Sequence, residues 1–291
     1  MVEGQDDKSS LINPNPVLQR YYASLESRIG YRLVLGGTRH FGYYASPSSF
    51  PIPFGPSLRA MEEQLFQALQ CRPGSRVFDA GCGVGHVALY MAKRGHYEIE
   101  AIDVVQRHAA RAQMNIKTAR MEGSITARHG DYHHLEKFQS GSFDGVYTME
   151  TLVHSTNPSM VLKEFMRILK PGGRIALHEY DHDDMDKTPK ELAEAMKKVN
   201  ALTSMPANAS FDRDILKDLL EGAGFQDVRL RDISQHIVPM LWAFYLLAVV
   251  PYMFFRVFGI EHYFPNAMAG VYCYKGRRVW RYIQVTGKKP I

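Results

Sequence analysis

The stretch FDAGCGVGHVALYMAKRG, residues 78–95, decides the fold of this 291-residue chain. Its apolar beginning has the composition of a short buried strand, and HVALYMAKRG has the spacing of a helix that ends at Gly95. Between them, Gly81, Gly83 and Gly85 allow the main chain to turn sharply and to approach a ligand closely. We therefore predict the first strand, turn and helix of an open α/β sheet, in which ligands bind beyond the carboxyl ends of the strands.

The same alternation of strand and helix continues after this unit. EIEAID, SITARHGD, SFDGVYTM and GRIALHEY are predicted strands, and helices are predicted around VVQRHAARAQMNI and PSMVLKEFMRILK. Further helices are predicted near residues 188–203 and 212–222, followed by strands at GFQDVRLRDIS and AGVYCYKGRRV. This order predicts a mostly parallel sheet with helices on both faces.

The first 60 residues are predicted to form a separate helical layer. Residues 1–14 are expected to be a loose tail, and PVLQRYYASLESRIGYRLVL has helical spacing until the glycines of GGTRHFGYY. A proline-rich connector, ASPSSFPIPFGP, leads into the predicted helix SLRAMEEQLFQALQ, with Ser57 as its expected N-cap.

Composition narrows the classes of function. The net charge of +5 is mild, and no motif concentrates basic residues as nucleic-acid binders do. The three cysteines, Cys71, Cys82 and Cys273, have no disulfide-framework spacing, and the polar start MVEGQDDKSS does not resemble a signal peptide. Both features predict a reducing, cytoplasmic location.

Acidic residues end the first three predicted strands. A carboxylate at Asp79 would repel a pyrophosphate but attract an ammonium or sulfonium group. Asp103, 22 residues after Gly81, can accept hydrogen bonds from ribose hydroxyls, whereas Asp131 and Tyr132 can contact an adenine ring. Each acid alone is typical of a turn or cap. Three at successive strand ends predict a ligand with a cationic amino acid end and a nucleoside end.

Other nucleotide motifs fit less well. The third glycine comes one residue too early for a G-x-G-x-x-G dinucleotide site, and no Lys-Ser or Lys-Thr follows as in a phosphate-binding P-loop.

Five segments occur in a characteristic order: VFDAGCGVG, the terminal Asp103, GDYHHL, FDGVYTMETLVH and LKPGGRI. In these segments, over roughly residues 60–185, the chain resembles class I S-adenosylmethionine-dependent methyltransferases. The resemblance implies a Rossmann-like, seven-stranded sheet whose last strand, VYCYKGR, runs antiparallel, and the cofactor S-adenosyl-L-methionine. It assigns the cofactor contacts to Asp79, Gly81, Gly83, Gly85, Asp103, Asp131 and Tyr132.

Two flanking segments, GGTRHFGYY and METLVHS, are similar to the sterol C-methyltransferase group and its small-molecule relatives. This similarity implies that Glu150 and His154 face the methyl group and the acceptor. It also implies a lid over the cofactor, formed by Tyr21, Tyr22, His40, Phe41 and Tyr43. Because LVLGGTRHFG lacks the longer aromatic signature of sterol enzymes and the chain is shorter, a sterol itself is disfavoured as substrate.

The resemblance divides the chain into three parts. Residues 1–60 are the tail and helical lid, residues 61–185 the cofactor-binding core, and residues 186–291 the substrate-side helices and final strands, including an apolar helical insertion.

Glu150, His154 and Tyr22 are the candidate catalytic residues. If an alkene carbon accepts the methyl group, a carboxylate and aromatic rings can stabilise the resulting carbocation. If an oxygen or nitrogen accepts it, His154 can act as the base. The structural alternatives are a helix-start residue for His154 and a structural carboxylate for Glu150.

His178 and Tyr180, at the end of the fifth predicted strand, are candidate substrate contacts. They begin the acidic run HEYDHDDMD, which is more typical of a solvated loop than of a metal site. The neighbours His133 and His134 point in different directions on a strand, so they do not form a ligand pair. We therefore predict no metal site.

The uncharged stretch IVPMLWAFYLLAVVPYMFF, residues 237–255, has three interpretations. A membrane-spanning helix would separate the last strand from its sheet, which disfavours that option. A buried helix lining a lipophilic pocket and a surface helix that dips into an intracellular bilayer, aided by GRRVWRY, are mutually compatible. Either one makes Trp242 and Tyr245 candidate substrate contacts, and residues 237–260 a candidate peripheral membrane contact.

The function predicted from these features is methyl transfer from S-adenosyl-L-methionine to a small lipophilic metabolite, such as a terpenoid, a sterol-like or a polyketide-like compound. A carbon acceptor is slightly favoured over oxygen or nitrogen. The alternative is a cofactor-binding enzyme that catalyses a rearrangement or cyclisation without methyl transfer. A non-catalytic binding module is disfavoured by the intact glycine turn and strand-end acids. The acceptor and the oligomeric state stay open.

Overall fold

The computed structural model describes residue 12 and residues 15–291, so most of the predicted N-terminal tail lies outside the described residues. A seven-stranded sheet with the strand order 3-2-1-4-5-7-6 forms its centre. The strands are β1 (Arg76–Ala80), β2 (Glu98–Asp103), β3 (Ile125–His129), β4 (Phe143–Met149), β5 (Leu169–His182), β6 (Gln226–Asp232) and β7 (Trp280–Lys288). β7 is antiparallel to both of its neighbours. The predicted Rossmann-like sheet is therefore confirmed.

Helices lie between and beyond the strands. They are α1 (Pro16–Ala23), α2 (Leu25–Leu35), α3 (Phe54–Leu69), α4 (His86–Gly95), α5 (Gln106–Thr118), α6 (Pro158–Ile168), α7 (Lys190–Thr203), α8 (Ile215–Gly222), α9 (Val238–Val257) and α10 (Pro265–Lys275). The predicted helices near residues 188–203 and 212–222 correspond to α7 and α8.

The sheet is buried on both faces because successive strand residues point to opposite sides. On one face, Phe78 of β1 belongs to a core cluster with Phe165 of α6 and Leu216 of α8. On the other face, Val77 belongs to a cluster with Leu65 of α3 and residues of α4 and α5. The near-continuous apolar composition of the central strands follows from this double burial.

The predicted last strand was placed wrongly. VYCYKGR lies in and just after α10, whereas the antiparallel last strand is β7, which begins at Trp280. The buried residues Met268, Val271 and Tyr272 are spaced three and four residues apart, as in a helix. This spacing indicates the secondary structure better than the β-branched and aromatic composition of the segment. The expected antiparallel direction of the last strand is correct.

Two predicted helix boundaries differ from the structure, and a third is confirmed. The N-terminal helical region breaks at Ser24, whose side chain accepts a hydrogen bond from the N–H of Ser27 and caps α2. α3 begins before Ser57, which donates to the carbonyl of Phe54 and is therefore not a cap. α4 ends at Gly95 as expected, but the left-handed residue after it is His96.

α9 is long and apolar enough to cross a membrane by length and composition. Nevertheless, β7 follows α9 in the chain and pairs with β5 and β6, both of which precede α9. Both ends of α9 are consequently tied to the same sheet, and a spanning orientation does not fit this topology.

Candidate functional site

Two adjoining cavities lie at the carboxyl end of the parallel strands. The first has a volume of ≈ 80 Å³ and is lined by the glycine turn and by the ends of β2 and β4. The second, of ≈ 220 Å³, lies under the N-terminal helices and against α7, α9 and α10. Tyr22, Arg39, Glu150 and His154 line both cavities, so we call these four residues the junction.

The glycine turn exposes bare main chain to the first cavity. Gly81 has φ +102°, and a Cβ there would lie 2.6 Å from the Thr151 side chain. Gly83 has φ +53°, and the nearest atom to a Cβ at this position would be the Cδ of Arg39, at 4.0 Å. Gly81 is therefore required by a close internal contact, whereas Gly83 leaves its open side to a ligand.

Gly85 does not line the cavity. A Cβ at Gly85 would lie 3.1 Å from the Cβ of Ala112, so this glycine allows α4 and α5 to pack closely. The structure thus gives Gly85 a packing role in place of the predicted cofactor contact.

Asp103 lies at the end of β2, beside the glycine turn. One carboxylate oxygen accepts the N–H of Val105 and the other accepts the N–H of Gly83, both at 2.8 Å. Since a carboxylate offers about four acceptor sites, unused lone pairs are left for ligand hydroxyls. The side chain therefore holds the turn in place and still fits the predicted ribose contact.

Asp79 is buried in the first cavity wall. Its carboxylate accepts a hydrogen bond from the Tyr147 hydroxyl at 2.9 Å. Burial raises the pKa of Asp79 to about 7, an effect that the Tyr147 hydrogen bond opposes and the nearby Asp103 charge reinforces. A cationic ligand beside Asp79 would stabilise its charged form.

Tyr132 and Asp131 occupy different places. Tyr132 lines the first cavity, and its hydroxyl donates to the carbonyl of Thr151 at 2.9 Å. Asp131 lies outside that lining; its carboxylate accepts the N–H of His133 at 2.9 Å and contacts the ring Nδ1 of His133 at 2.6 Å. The contact of His133 with Asp131 was not predicted from the sequence.

Glu150 joins the lid to the sheet. Its carboxylate accepts hydrogen bonds from the N–H of Phe41 at 2.8 Å, from the Tyr282 hydroxyl at 2.7 Å and from the Tyr180 hydroxyl. Burial raises the pKa of Glu150, while the neighbouring His40 and the three donors act in the opposite direction. The carboxylate is thus held by the protein itself and tethers the lid residue Phe41.

His154 and Tyr22 face each other across the junction. The Nδ1 of His154 hydrogen-bonds the carbonyl of Ser204 at 2.7 Å, which makes Nδ1 the donor. Burial lowers the pKa of His154, which favours a neutral ring with a lone pair on Nε2. This Nε2 lies 3.5 Å from the hydroxyl of Tyr22.

The predicted lid is mostly in place. Tyr21, Tyr22, His40 and Phe41 line the second cavity. Tyr43 lines neither cavity, because its ring stacks on His236 with centroids 4.1 Å apart. The prediction that Tyr43 contacts the cofactor therefore does not fit this geometry.

Of the four predicted substrate contacts, one lines the second cavity and three do not. Tyr180 lines the second cavity, but His178 is buried beside Gln284, with its Nε2 at 2.9 Å from the Gln284 amide nitrogen. Trp242 is exposed, and Tyr245 packs against Tyr274.

Other residues of the same helix face the second cavity. Leu241 and Phe244 line it, together with Ile237 just before α9. Each helical residue turns the side-chain direction by about 100°, so Trp242 and Tyr245, one position later, point elsewhere.

Arg39, in the segment GGTRHFG, is a site residue that the motifs did not predict. Its guanidinium lies over the rings of Tyr22 and Tyr31, 4.7 and 5.1 Å from their centroids. One terminal nitrogen lies 2.6 Å from Nε2 of His108, whose Nδ1 lies 3.3 Å from Asp103. Among the described residues, no carboxylate forms an ion pair with Arg39, and its Nε has no hydrogen-bond partner. Arg39 therefore keeps an unused donor on a side chain that lines both cavities.

Across the described residues, no group of three or more His, Cys, Asp and Glu side chains suits a metal ion. The acidic run does not begin as the expected solvated loop, because Asp181 and His182 are buried in β5 and paired with β7. Asp181 forms an ion pair with Arg281, and both nitrogens of His182 lie against carbonyl oxygens. These side chains are held by protein partners.

Comparison with known proteins identifies the family. A model described as "Methyltransferase domain" matches residues 78–177. The S-adenosyl-L-methionine-dependent Diels-Alderase iccD of Talaromyces variabilis is 43% identical over 277 residues, covering 94% of each chain. The corresponding Diels-Alderase iliD of Neonectria sp. (strain DH2) is 42% identical over 76% of this chain and 87% of its own length. The chain belongs to the class I S-adenosyl-L-methionine-dependent methyltransferase family.

Structural comparison agrees with the fold. The 4+2 cyclase SpnF superposes with a TM-score of 0.76 at 20% identity, covering 96% of this chain and 97% of that chain. The predicted family membership is confirmed, and a sterol 24-C-methyltransferase is among the relatives. S-adenosyl-L-methionine is the cofactor. The bare main chain at Gly83 and the acids Asp79 and Asp103 fit its ribose and cationic ends. The protein is thus an enzyme with a methyltransferase fold that acts on a small molecule.

The contacts of Glu150 give a stability prediction. Glu150→Ala leaves three buried donors without an acceptor, so we expect the free energy of unfolding to fall by about 1–3 kcal/mol. Glu150→Gln keeps one acceptor and should recover part of the loss. Urea unfolding monitored by circular dichroism measures both, with Glu194→Ala, which removes an exposed pair with Lys190, as control. Equal losses for Glu150→Ala and Glu194→Ala would contradict the tether.

Proposed function

We propose that this enzyme is a cyclase that folds a linear lipophilic polyene in the second cavity and promotes an intramolecular Diels-Alder cycloaddition without methyl transfer. Three π bonds of the substrate become one π bond and two new C–C σ bonds, so the product is an isomer of the substrate. The high identity to the Diels-Alderase iccD over nearly the whole chain supports this proposal.

The observation that carries the proposal is that both carboxylates lining the second cavity already have protein partners, whereas the Nε2 of His154 has only a contact of 3.5 Å to the Tyr22 hydroxyl. Glu150 accepts three hydrogen bonds from the protein, and Asp181 is paired with Arg281. His40 has one ring nitrogen beside the carbonyl of Phe41 and the other beside Glu62. A cycloaddition exchanges no proton with the enzyme, whereas methylation of an alkene carbon must release a proton to a base.

The cavity walls supply the main requirement of a cycloaddition, which is to bring the diene and dienophile into contact. The apolar wall residues exclude water and restrict the substrate to folded conformations. They include Phe41, Val153, Met196, Val199, Leu241 and Phe244.

The junction supplies hydrogen-bond donors to the substrate. Arg39 and the Tyr22 hydroxyl can donate hydrogen bonds to a carbonyl conjugated with the dienophile, which withdraws electrons from the reacting double bond. The cofactor, when bound, supplies a permanent positive charge that attracts electron-rich atoms. A polyene that carries a conjugated carbonyl, as in polyketide-like compounds, therefore fits both the walls and the donors.

The test is incubation of the purified chain with S-adenosyl-L-methionine and a linear polyene that carries a conjugated carbonyl. We expect a product of unchanged mass and shorter conjugation, without formation of S-adenosylhomocysteine, as measured by liquid chromatography with mass spectrometry. Heat-denatured protein controls for spontaneous cyclisation. A product heavier by one CH₂ with equimolar S-adenosylhomocysteine would overturn the proposal.

Methyl transfer to an oxygen is the second candidate, and His154 favours it. The lone pair on its Nε2 points across the junction, where it can take a proton from a hydroxyl acceptor. The same assay separates the two functions, because only methyl transfer consumes the cofactor.

A further inference from the structure

The outer sides of α2 and α9 expose an unusual amount of apolar surface. On α9, Val250 and Val257 are 71% and 81% exposed, and Leu247 and Phe254 lie on the same side of the helix. Only five of the 20 residues of α9 are buried. Single exposed apolar side chains are common on soluble proteins, but a continuous stripe along a helix marks an interaction site.

α2 carries a second stripe. Leu25, Ile29 and Leu33 follow one another at intervals of four residues and are exposed, Leu33 by 77%. The residues that α2 buries, Ser27 and Leu35, lie on its opposite side. The helix therefore presents an apolar row to solvent even though it is held in place by its inner side.

Both stripes point away from the second cavity, because Tyr31 of α2 and Phe244 of α9, on the inner sides of these helices, line it. At its start, α2 is fixed to α10, because the Glu26 carboxylate accepts the N–H groups of Asn266 and Ala267 at 3.1 and 2.9 Å. At its end, Leu35 packs in a cluster with Met240 in the first turn of α9. Since α10 follows the end of α9 closely, α2 runs alongside α9 in the opposite direction.

The exposed charged residues of α2 and α9 are positive. Arg28 and Arg32 flank the stripe of α2, and Arg256 is the only charged residue of α9. Glu26, the acidic residue of α2, is turned inward to α10. Apolar side chains bordered by arginines complement a bilayer with anionic headgroups, whose acyl region takes up the apolar groups.

We propose that the apolar face, formed by Leu25, Ile29, Leu33, Leu247, Val250, Phe254 and Val257, docks the enzyme on an anionic phospholipid bilayer. The opposite side of α9 contributes Leu241 and Phe244 to the second cavity, so this helix lies between the docked face and the substrate cavity. The inference concerns where the enzyme binds and does not depend on the reaction that it catalyses.

Flotation of the full chain with vesicles tests the docking. We expect the chain to float with phosphatidylcholine vesicles that contain about one third phosphatidylserine, and less with phosphatidylcholine alone. Val250→Glu combined with Val257→Glu should reduce the bound fraction about tenfold or more. Arg28→Glu with Arg32→Glu should reduce binding to the anionic vesicles only. Met114→Glu changes an apolar residue of α5 that is 58% exposed, and should bind as the unmodified chain does.

Several outcomes would overturn the proposal. One is a chain that does not float with either vesicle; another is equal loss of binding in Met114→Glu. A third is a dimer, seen by light scattering, that dissociates in the Val250→Glu, Val257→Glu variant while no form floats, because a second copy then covers the face. Retained S-adenosyl-L-methionine binding shows that each variant is folded, since none of the changed residues lines either cavity.

Discussion

Asp103→Asn is expected to raise the Kd for S-adenosyl-L-methionine about 10- to 100-fold. The carboxylate of Asp103 accepts the N–H groups of Gly83 and Val105 at 2.8 Å, one on each oxygen. An asparagine amide replaces one of these oxygens with a donor, which then faces another donor. The variant therefore loses a charged acceptor for the ribose and also disturbs the glycine turn that approaches the cofactor.

Isothermal titration calorimetry with S-adenosylhomocysteine and S-adenosyl-L-methionine measures this effect. Glu100→Gln is a matched control, because Glu100 lies on the same strand but pairs with Arg76 and Arg128 away from the cavity. The control should bind the cofactor as the unmodified chain does. A Kd for Asp103→Asn within about twofold of the control would show that the carboxylate does not contact the ribose.

The sheet was predictable because its strands carry local signals. β1, β2 and β4 are short runs rich in apolar residues that end at or just before a glycine or an acidic residue, and the helices between the strands show regular spacing. The position of the last strand was not predictable. VYCYKGR has the composition of a strand, and its packing against α7 and α9 stabilises it as a helix. Composition is a weak guide where tertiary contacts decide.

The cofactor half of the site was predictable for a related reason. Asp79, Gly81, Gly83 and Asp103 are placed by main-chain features of strands and turns, which short motifs record. The substrate half is assembled from segments that are distant in the sequence. Which residues line it depends on which side each helix turns to the cavity: Leu241 lines it, whereas Trp242 had been predicted to do so. In a helix that is apolar on all sides, no local motif indicates which side faces the cavity.

Arg39 shows a further limit of motif analysis. Its neighbours His40 and Phe41 belong to the segment that predicted a lid. Arg39 itself matches no motif, although its side chain lines both cavities. The motifs of this family report cofactor binding, which a methyltransferase and a cyclase share. The choice between these reactions depends on the groups that line the second cavity and on how the protein already engages them.

The affinity for S-adenosyl-L-methionine is expected to rise with pH, by about 100-fold between pH 5 and pH 8. In the free protein the pKa of Asp79 is raised to about 7, with burial as the main cause. The carboxyl group is therefore mostly neutral at pH 5, and the cationic end of the cofactor must drive off its proton before it gains a charge partner. Above pH 7 the carboxylate is already charged, so the Kd should level off.

The stability of the cofactor-free protein should change in the opposite direction. An acid with a raised pKa binds its proton more tightly when folded, so its contribution to stability is largest at low pH. This contribution falls as the pH rises from the unfolded value through about 7. In Asp79→Asn, the free energy of unfolding measured in urea should therefore fall less steeply as the pH rises. Burial also raises the pKa of Glu179, to about 8, so Glu179 contributes a fall in stability with rising pH in both proteins.

Adenosine provides the matched ligand control, because it keeps the ribose and the adenine but lacks the cationic amino acid end. Its Kd should depend little on pH in the unmodified chain, and the Kd of S-adenosyl-L-methionine should lose most of its pH dependence in Asp79→Asn. If adenosine and the full cofactor instead showed the same pH profile, the titrating group would act on the nucleoside. Asp79 would then not be the partner of the cationic end.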